Sequence, residues 1–195
     1  KNGGLLNLGD PKAWDWLVNC VDRLIVDNHI DMYRQDFNMD PLDCWRGNDA
    51  ADRQGITEIK HVMGLYAFWD ELKKRHPDMP FDNCASGGRR NDLEMMRRGI
   101  PLSKSDYFGQ TAASQCQTYG IASWLPYFGA GVGDSVDPYV LRSNMASWVG
   151  ADWDTQNDAI DYATIRKHLA DWRLVAPYML GGDFYPFTPY SLEED

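Results

Sequence analysis

The sequence predicts an α/β fold, and two observations support the prediction. Amphipathic helical segments alternate with short apolar runs that end in polar residues, which is typical of parallel strands joined by right-handed helical crossovers. The 195 residues hold about five such βα units, whereas a complete (β/α)8 TIM barrel takes about 250 residues. The chain is therefore predicted to be the C-terminal portion of such a barrel. Residues 1–195 would form one barrel domain whose N-terminal strands are not in this chain.

The first half of the chain contains two clear helical patterns. Asp10 can cap the first helix and Pro11 occupies its first turn, after which apolar residues recur at helical spacing. The second helix covers 55–75 and is stopped before Pro77. A strand is expected at 30–36, and a loop rich in Asp, Gly and Arg separates it from the second helix.

In the second half, the predicted helices and strands follow one another more closely, with glycine and proline at their boundaries. Gly99 and Gly120 are expected to end helices, Pro177 is expected to end the last one, and a glycine-rich loop is expected at 129–133. A short helix follows that loop. The predicted strands are 80–84, 100–106, 121–127 and 146–151. The other predicted helices are a short one at 91–98 and two more at 110–118 and 158–174.

Composition and charge exclude several classes of partner. The formal net charge is −10 and the pI is about 4.7, which argues against nucleic acid and against anionic membrane surfaces. The apolar stretches are far shorter than the roughly 20 residues of a membrane-spanning helix. The chain begins at Lys1 without a methionine or a leader pattern, so we expect a fragment or processed piece whose export signal and localisation are out of view.

Cysteine and histidine spacing gives no metal signature. The four cysteines lie 24, 40 and 32 residues apart, with no C-x-x-C pair. The four histidines show no H-E-x-x-H spacing. We expect reduced thiols, no metal site and no cofactor.

Two aspartates stand at the ends of apolar runs. Asp36 ends the first strand and Asp106 ends the strand 100–106. Side chains alternate along a strand, so Arg34 shares a face with Asp36, and Lys104 shares one with Asp106. Catalytic residues of barrel enzymes lie at the carboxyl ends of the strands. Retaining glycoside hydrolysis requires at least two carboxylates that face the same pocket.

Between the two aspartates, the segment Phe81-Asp-Asn-Cys-Ala-Ser-Gly-Gly-Arg-Arg-Asn-Asp92 carries a pair of glycines after a strand. Gly87 and Gly88 could let the backbone approach a ligand closely, or they could form a plain tight turn. Aromatic residues at strand ends could in addition provide flat surfaces for the apolar faces of sugar rings. Four such residues are Trp45, Tyr107, Trp124 and Tyr127.

The order and spacing of these motifs resemble the α-galactosidases of glycoside hydrolase family 36, the melibiase type. The family's Lys-Trp-Asp-x-Asn corresponds to Arg34-Gln-Asp-Phe-Asn38, and its Cys-Ser-Gly-Gly-Gly-Gly-Arg-x-Asp corresponds to the segment from Cys84. Its Trp-Thr-Ser-Asp-Asp corresponds to the run that ends at Ser105-Asp106. The resemblance extends from Leu5-Leu-Asn-Leu-Gly-Asp-Pro11 to Gly182-Asp-Phe-Tyr185 and so covers essentially the whole chain.

The resemblance implies a role for each matching residue. Asp36 stands where the family keeps its nucleophile and Asp106 where it keeps its general acid/base. Arg34 takes the place of a Lys that bonds sugar hydroxyls, and its planar fork could bond two adjacent hydroxyls at once. The other residues expected to bind the sugar are Asn38, Cys84, Gly87, Gly88 and Tyr107.

The implied substrate is an α-galactoside oligosaccharide, and a homo-oligomer could form through parts of the protein outside this chain. The family's second Asp is replaced by Tyr107, and one glycine of its run by Arg89, so the specificity for the sugar stays open. An α-N-acetylgalactosaminidase and a raffinose-synthase-like α-galactosyl transferase are the alternatives. A phosphate-binding barrel is disfavoured because the carboxylates would repel phosphate.

The implied mechanism is double displacement with retention, and it assigns different protonation states to the two aspartates. Arg34 would keep the Asp36 carboxylate ionised. Lys104 would favour the ionised form of Asp106, against the requirement of an acid. Either Lys104 points away into the barrel interior, or the charge of Asp36 and burial by Tyr107 outweigh it. For a retaining enzyme, the two carboxyl groups should be about 5–6 Å apart.

Overall fold

A computed structural model of the chain describes residues 4–107, 110–125 and 127–191. It separates into two compact units. The first comprises Lys1–Asp82 and Leu93–Gly99, and the second comprises Asn83–Asp92 and Ile100–Asp195.

The helices of the first unit begin and end close to the predicted positions. Helix α1 spans Pro11–Asp27, and the Asp10 carboxylate caps it by accepting from the backbone N–H of Lys12 at 2.8 Å. Helix α3 spans Ile56–Arg75 and ends just before Pro77, as expected. A short helix α2, Leu42–Arg46, lies within the predicted loop. The unit also contains α4, Leu93–Met96, which is shorter than the predicted helix.

Strand β1, Tyr33–Gln35, packs one face against the aromatic core of the first unit. It pairs with β2, Phe81–Asn83, of which the first two residues belong to this unit. The Tyr33 ring meets Phe68 and Trp69 edge-on, at centroid distances of 6.1 and 6.0 Å. The indole N–H of Trp69 donates to the side-chain oxygen of Gln35 at 2.6 Å. These contacts fix the inner face of β1, so the alternate side chains point outward.

The second unit is built around parallel backbone segments. Strands β3, Gly129–Gly131, and β4, Trp148–Gly150, are parallel and in register, with Gly129 opposite Trp148. Helix α6, Pro138–Ser143, connects them. The other helices are α5, Thr111–Ile121, and α7, Tyr162–Gly181. No helix of the described residues combines the length and the apolarity that crossing a membrane requires.

The prediction of a regular strand at 100–106 is wrong, although the segment makes strand-like contacts on both sides. The Asn83 N–H donates to the Ile100 carbonyl at 3.0 Å, and the Gly129 N–H donates to the Pro101 carbonyl at 3.0 Å. The Lys104 N–H donates to the Gly129 carbonyl at 3.1 Å. Since Pro101 has no N–H to donate, a continuous ladder cannot form across it. The segment therefore lies between Asn83 and β3 without being a regular strand.

The prediction of a strand at 121–127 is also wrong for 121–125 and 127, and residue 126 lies outside the described residues. Helix α5 continues through Gly120 to Ile121, and the next strand begins only at Gly129, inside the expected glycine-rich loop. A Cβ at Gly129 would overlap the carbonyl oxygen of Leu102, so the close backbone approach requires glycine. Helix α7 likewise runs past Pro177, which was expected to end it. The described residues thus contain four strands, where about five were expected.

Candidate active site

The first unit presents three of the predicted site residues on one exposed face. Arg34, Asp36 and Asn38 are exposed, whereas the alternate residues Tyr33 and Gln35 are partly buried. The aromatic contacts of the inner face cause this alternation. The residues that the sequence analysis assigned to the nucleophile position and its neighbours therefore share one surface.

Arg34 contacts two carboxylates on this surface. Its Nη2 lies 3.9 Å from the Asp36 Oδ2, and its Nη1 is bonded to the Asp82 Oδ2. The side chains of Arg34 and Asp36 are 42% and 38% exposed, whereas that of Asp82 is fully buried. Asp82 thus occupies one terminal nitrogen of the guanidinium. Arg34 therefore cannot use both terminal nitrogens to bond two adjacent sugar hydroxyls.

Asp82 was missed by the sequence analysis, although the sequence contains a signal for it. The residue lies inside β2, next to the buried Phe81. An ionisable side chain in a buried strand needs a partner, because an isolated charge is costly to remove from water. The pattern predicts that Asp82 is paired, but it does not identify Arg34 as the partner, since 48 residues separate the two.

In the second unit, the two glycines bring their loop against the backbone that leads to Asp106. Gly87 has a positive φ of 77°, and a Cβ there would lie 2.5 Å from the Asp106 nitrogen. A Cβ at Gly88 would lie 2.5 Å from the Lys104 carbonyl oxygen. The loop is also a tight turn, in which the Ala85 N–H donates to the Gly87 carbonyl at 3.3 Å. The glycines therefore serve both the turn and a close approach to neighbouring backbone.

Asp106 and Tyr107 are exposed at the end of this segment. Ser105 holds the backbone there, because its hydroxyl accepts from the Tyr107 N–H at 3.1 Å and from the Gln117 side chain at 3.2 Å. The Asp106 carboxylate forms no ion pair with any residue that the structure describes. Cys84, by contrast, is buried, with 1% of its surface exposed.

The amino group of Lys104 points into the interior of the second unit. It donates to the Ser114 hydroxyl of α5 at 3.1 Å, and Ser114 in turn donates to the Asn144 side chain at 2.5 Å. The ammonium lies 5.9 Å from the centroid of the Phe128 ring. Burial lowers the pKa of Lys104 from 10.5 to about 8. Of the two arrangements that the sequence left open, the structure has the inward-pointing one.

Within the described ranges, no group of three or more His, Cys, Asp or Glu side chains is arranged to hold a metal ion. All four cysteines lie in those ranges, and none of them forms a disulfide.

Comparison with known proteins identifies the family. The Melibiase family matches residues 1–144, which is most of the chain. The chain belongs to the melibiase family. Among curated members, α-galactosidase 1 of Pediococcus pentosaceus is 26% identical over 95% of this chain, which corresponds to 27% of that protein. The Escherichia coli α-galactosidase is 32% identical over 52% of this chain and 14% of that protein.

Solved structures of melibiase-type enzymes share the fold. A variant of the family 36 α-galactosidase AgaA from Geobacillus stearothermophilus, bound to 1-deoxygalactonojirimycin, superposes with a TM-score of 0.77 at 18% identity. The match covers 93% of this chain and 27% of that one. The α-galactosidase from Lactobacillus brevis gives a TM-score of 0.76 over 90% of this chain and 25% of that one. The chain is thus an α/β part of this fold, and it spans about a quarter of the length of these relatives.

Proposed function

We propose that the full-length protein is a retaining α-galactosidase that removes terminal α-linked galactose from oligosaccharides or glycoconjugates. The observation that carries the proposal is the exposed Asp36 at the end of β1, with Arg34 3.9 Å away, in a melibiase-family chain. Structures of AgaA variants that hold stachyose and raffinose support α-galactosides as the substrate class. The names of the curated relatives support the same activity.

In this proposal, the chain is the C-terminal portion of a (β/α)8 barrel. The parallel pairing of β3 with β4 across helix α6 supports it, because such crossovers build barrels. The contacts of the segment 100–104 with Asn83 on one side and Gly129 on the other give a chain-order sequence of neighbours, as in a barrel wall.

Asp36 is the proposed nucleophile and Asp106 the proposed general acid/base. The Asp36 carboxylate attacks the anomeric carbon while Asp106 gives its proton to the departing glycosidic oxygen. Water then attacks the glycosyl-enzyme, Asp106 takes a proton from that water, and Asp36 is released as a carboxylate with net retention. The residues proposed to bind the sugar are Arg34, Asn38, Cys84, Gly87, Gly88 and Tyr107.

The geometry can be tested by a crystal structure of the full-length protein with 1-deoxygalactonojirimycin. We expect the carboxyl groups of Asp36 and Asp106 on opposite sides of the bound ring, about 5–6 Å apart. A separation beyond about 9 Å would refute the retaining mechanism, because that distance leaves room for an attacking water instead.

The activity can be tested with a panel of 4-nitrophenyl α- and β-glycosides on the full-length protein. We expect release from the α-galactoside and none from any β-glycoside. Release only from the α-N-acetylgalactosaminide would replace the proposed sugar, and galactosyl products that grow with added acceptor sugar would favour a transferase. Absence of release from every α-glycoside would reject the proposal.

A further inference from the structure

The buried carboxylate of Asp82 forms an ion pair with Arg34. Asp82 is 0% exposed, and a carboxylate at such a site is stable as an ion only when it is paired. The bond between Arg34 Nη1 and Asp82 Oδ2 provides that pairing. This bond joins the guanidinium to a buried carboxylate, so it holds Arg34 on the Asp82 side.

The same guanidinium extends toward Asp36, where the contact is looser. The Nη2–Oδ2 distance is 3.9 Å, longer than a hydrogen bond, and both side chains are more than a third exposed. Solvent therefore screens the Arg34–Asp36 attraction more than the Arg34–Asp82 attraction. The guanidinium reaches the two carboxylates through two different nitrogens, whereas a lysine has a single nitrogen.

We propose that Asp82 is a positioning residue for the nucleophile: it fixes the guanidinium of Arg34 and shares its positive charge, so that Arg34 orients Asp36 without forming a close ion pair with it. The inference rests on the proposed role of Asp36. A close Arg34–Asp36 pair would stabilise the free carboxylate and weaken it as a nucleophile. Asp82 prevents that pair by holding the cation back.

One lysine of helix α3 lies near this sheet and is engaged by its own partners. Helix α3 adds Lys73, whose ammonium lies 5.4 Å from the centroid of the Phe81 ring. Its amino group donates to the Arg98 carbonyl at 2.9 Å. Arg34 contacts Asp36, just past the end of β1, and Asp82 of β2. A change at position 82 is therefore expected to reach Asp36 through Arg34.

The test compares Asp82→Asn with Asp22→Asn in the full-length protein. Asp22 is the matched control, because it pairs with Arg75, 3.0 Å away, in the same unit. For Asp82→Asn we expect Arg34 to move toward Asp36 and the acid limb of the kcat/KM profile to shift to lower pH, by about half a pH unit or more. We expect kcat to fall about 10- to 100-fold with little change in KM. Asp22→Asn should change neither quantity.

An acid limb that stays in place in Asp82→Asn, with activity falling only in step with the folded fraction, would overturn the inference. If this variant does not fold, Asp82→Glu keeps the charge but displaces it. Asp82→Glu should fold, retain the wild-type acid limb and lower kcat, and a wild-type kcat would overturn the inference.

A crystal structure of whichever variant folds separates this inference from the proposed function. A wild-type protein that is inactive on all α-glycosides would reject the function, and the variant structure would still decide whether Asp82 holds Arg34 away from Asp36. For Asp82→Asn we expect an Arg34–Asp36 hydrogen bond of about 2.7–2.9 Å. In Asp82→Glu the guanidinium should follow the displaced carboxylate. An unmoved Arg34 in either variant would overturn the inference.

Discussion

The two aspartates that the sequence singled out have different electrostatic surroundings. Asp36 has a cation 3.9 Å away, and that cation is anchored by a buried carboxylate. Asp106 forms no ion pair within the described residues, and the lysine two positions before it is turned inward to Ser114. Asp36 therefore lies beside a cation, whereas the backbone of Asp106 packs against Gly87.

This difference is what double displacement requires of two identical side chains. A nucleophile has to be ionised, and a nearby cation favours that form. An acid has to hold its proton, which a nearby cation would oppose, so the inward turn of Lys104 removes an obstacle to that role. The comparison therefore supports the assignment of Asp36 as nucleophile and Asp106 as acid, and not the reverse.

Asp36→Ala is expected to have the largest effect. Without a nucleophile no glycosyl-enzyme forms, so kcat on the 4-nitrophenyl α-galactoside should fall by about four orders of magnitude or more. Azide should restore release and give a glycosyl azide of inverted anomeric configuration, which NMR identifies. Azide rescue in Asp106→Ala with this same inverted product, and none in Asp36→Ala, would exchange the two roles.

Asp106→Ala should discriminate between leaving groups. Natural galactosides depart as poor leaving groups and need a proton, so their kcat/KM should fall by about 100- to 10,000-fold. Activated aryl galactosides need little protonation and should lose much less in the first step. Side-by-side kinetics on raffinose and on the 4-nitrophenyl α-galactoside measure this ratio. Equal losses on both substrates would mean that Asp106 is structural.

Local sequence patterns predicted the Asp36 side of the site better than the Asp106 side. Alternation along β1 correctly predicted that Arg34 and Asp36 share a face. The error at 121–127 arose because apolar composition resembles a strand, while the real strand begins at Gly129, where a side chain would clash. Glycine carries no hydrophobic periodicity, so the pattern could not predict that strand.

Long-range pairing was the second limit on prediction from sequence. The partner of Arg34 lies 48 residues away on another strand, and no local spacing encodes it. Likewise, the inward direction of Lys104 depends on Ser114 of α5. The sequence shows that each buried charged group needs a partner, but only the fold identifies that partner.

Gly87→Ala tests whether backbone packing positions Asp106. An alanine would be strained at a φ of 77°, and its Cβ would meet the Asp106 nitrogen at 2.5 Å. We expect a loss of about 2–4 kcal/mol in the free energy of unfolding, measured by urea denaturation. Gly120→Ala is the control, because Gly120 lies in α5 with open space around it and should gain about 0.5–1 kcal/mol. A fully stable Gly87→Ala would contradict the packing argument.

Lys104→Met tests the inward turn of the lysine through pH. Because the pKa of Lys104 is lowered from 10.5 to about 8, the unfolded chain binds more protons between these values, and stability rises with pH across that window. Below pH 8 both states are protonated, and this residue adds no pH dependence. We expect the wild type to gain about 2–3 kcal/mol relative to Lys104→Met between pH 7 and 10. Lys74→Met is the control, because the Lys74 side chain is 81% exposed, and its stability should follow the same pH dependence as the wild type. The same pH dependence in wild type and Lys104→Met would mean that Lys104 is solvated.

Arg34→Lys has the smallest expected effect, and it tests whether the cation beside Asp36 matters for turnover. An ammonium is a single point of charge, so it can pair with Asp82 or approach Asp36 but cannot bridge them as the guanidinium does. The buried Asp82 should hold it, which would leave Asp36 without its cation. We expect kcat/KM on the α-galactoside to fall by the equivalent of about 1–3 kcal/mol with the fold intact.

Arg75→Lys is the matched control for this change, because Arg75 also bridges two carboxylates in the first unit. Its nitrogens lie 3.0 Å from Asp22 and 2.8 Å from Glu71. The control should lose some stability and retain kcat/KM, since neither partner has a role in the proposed reaction. Replacement of a bridging arginine would then lower stability at both positions, but it would lower kcat/KM only beside Asp36. If Arg34→Lys also retains kcat/KM, Arg34 neither orients the nucleophile nor binds the sugar, and the charge-based half of the comparison is wrong.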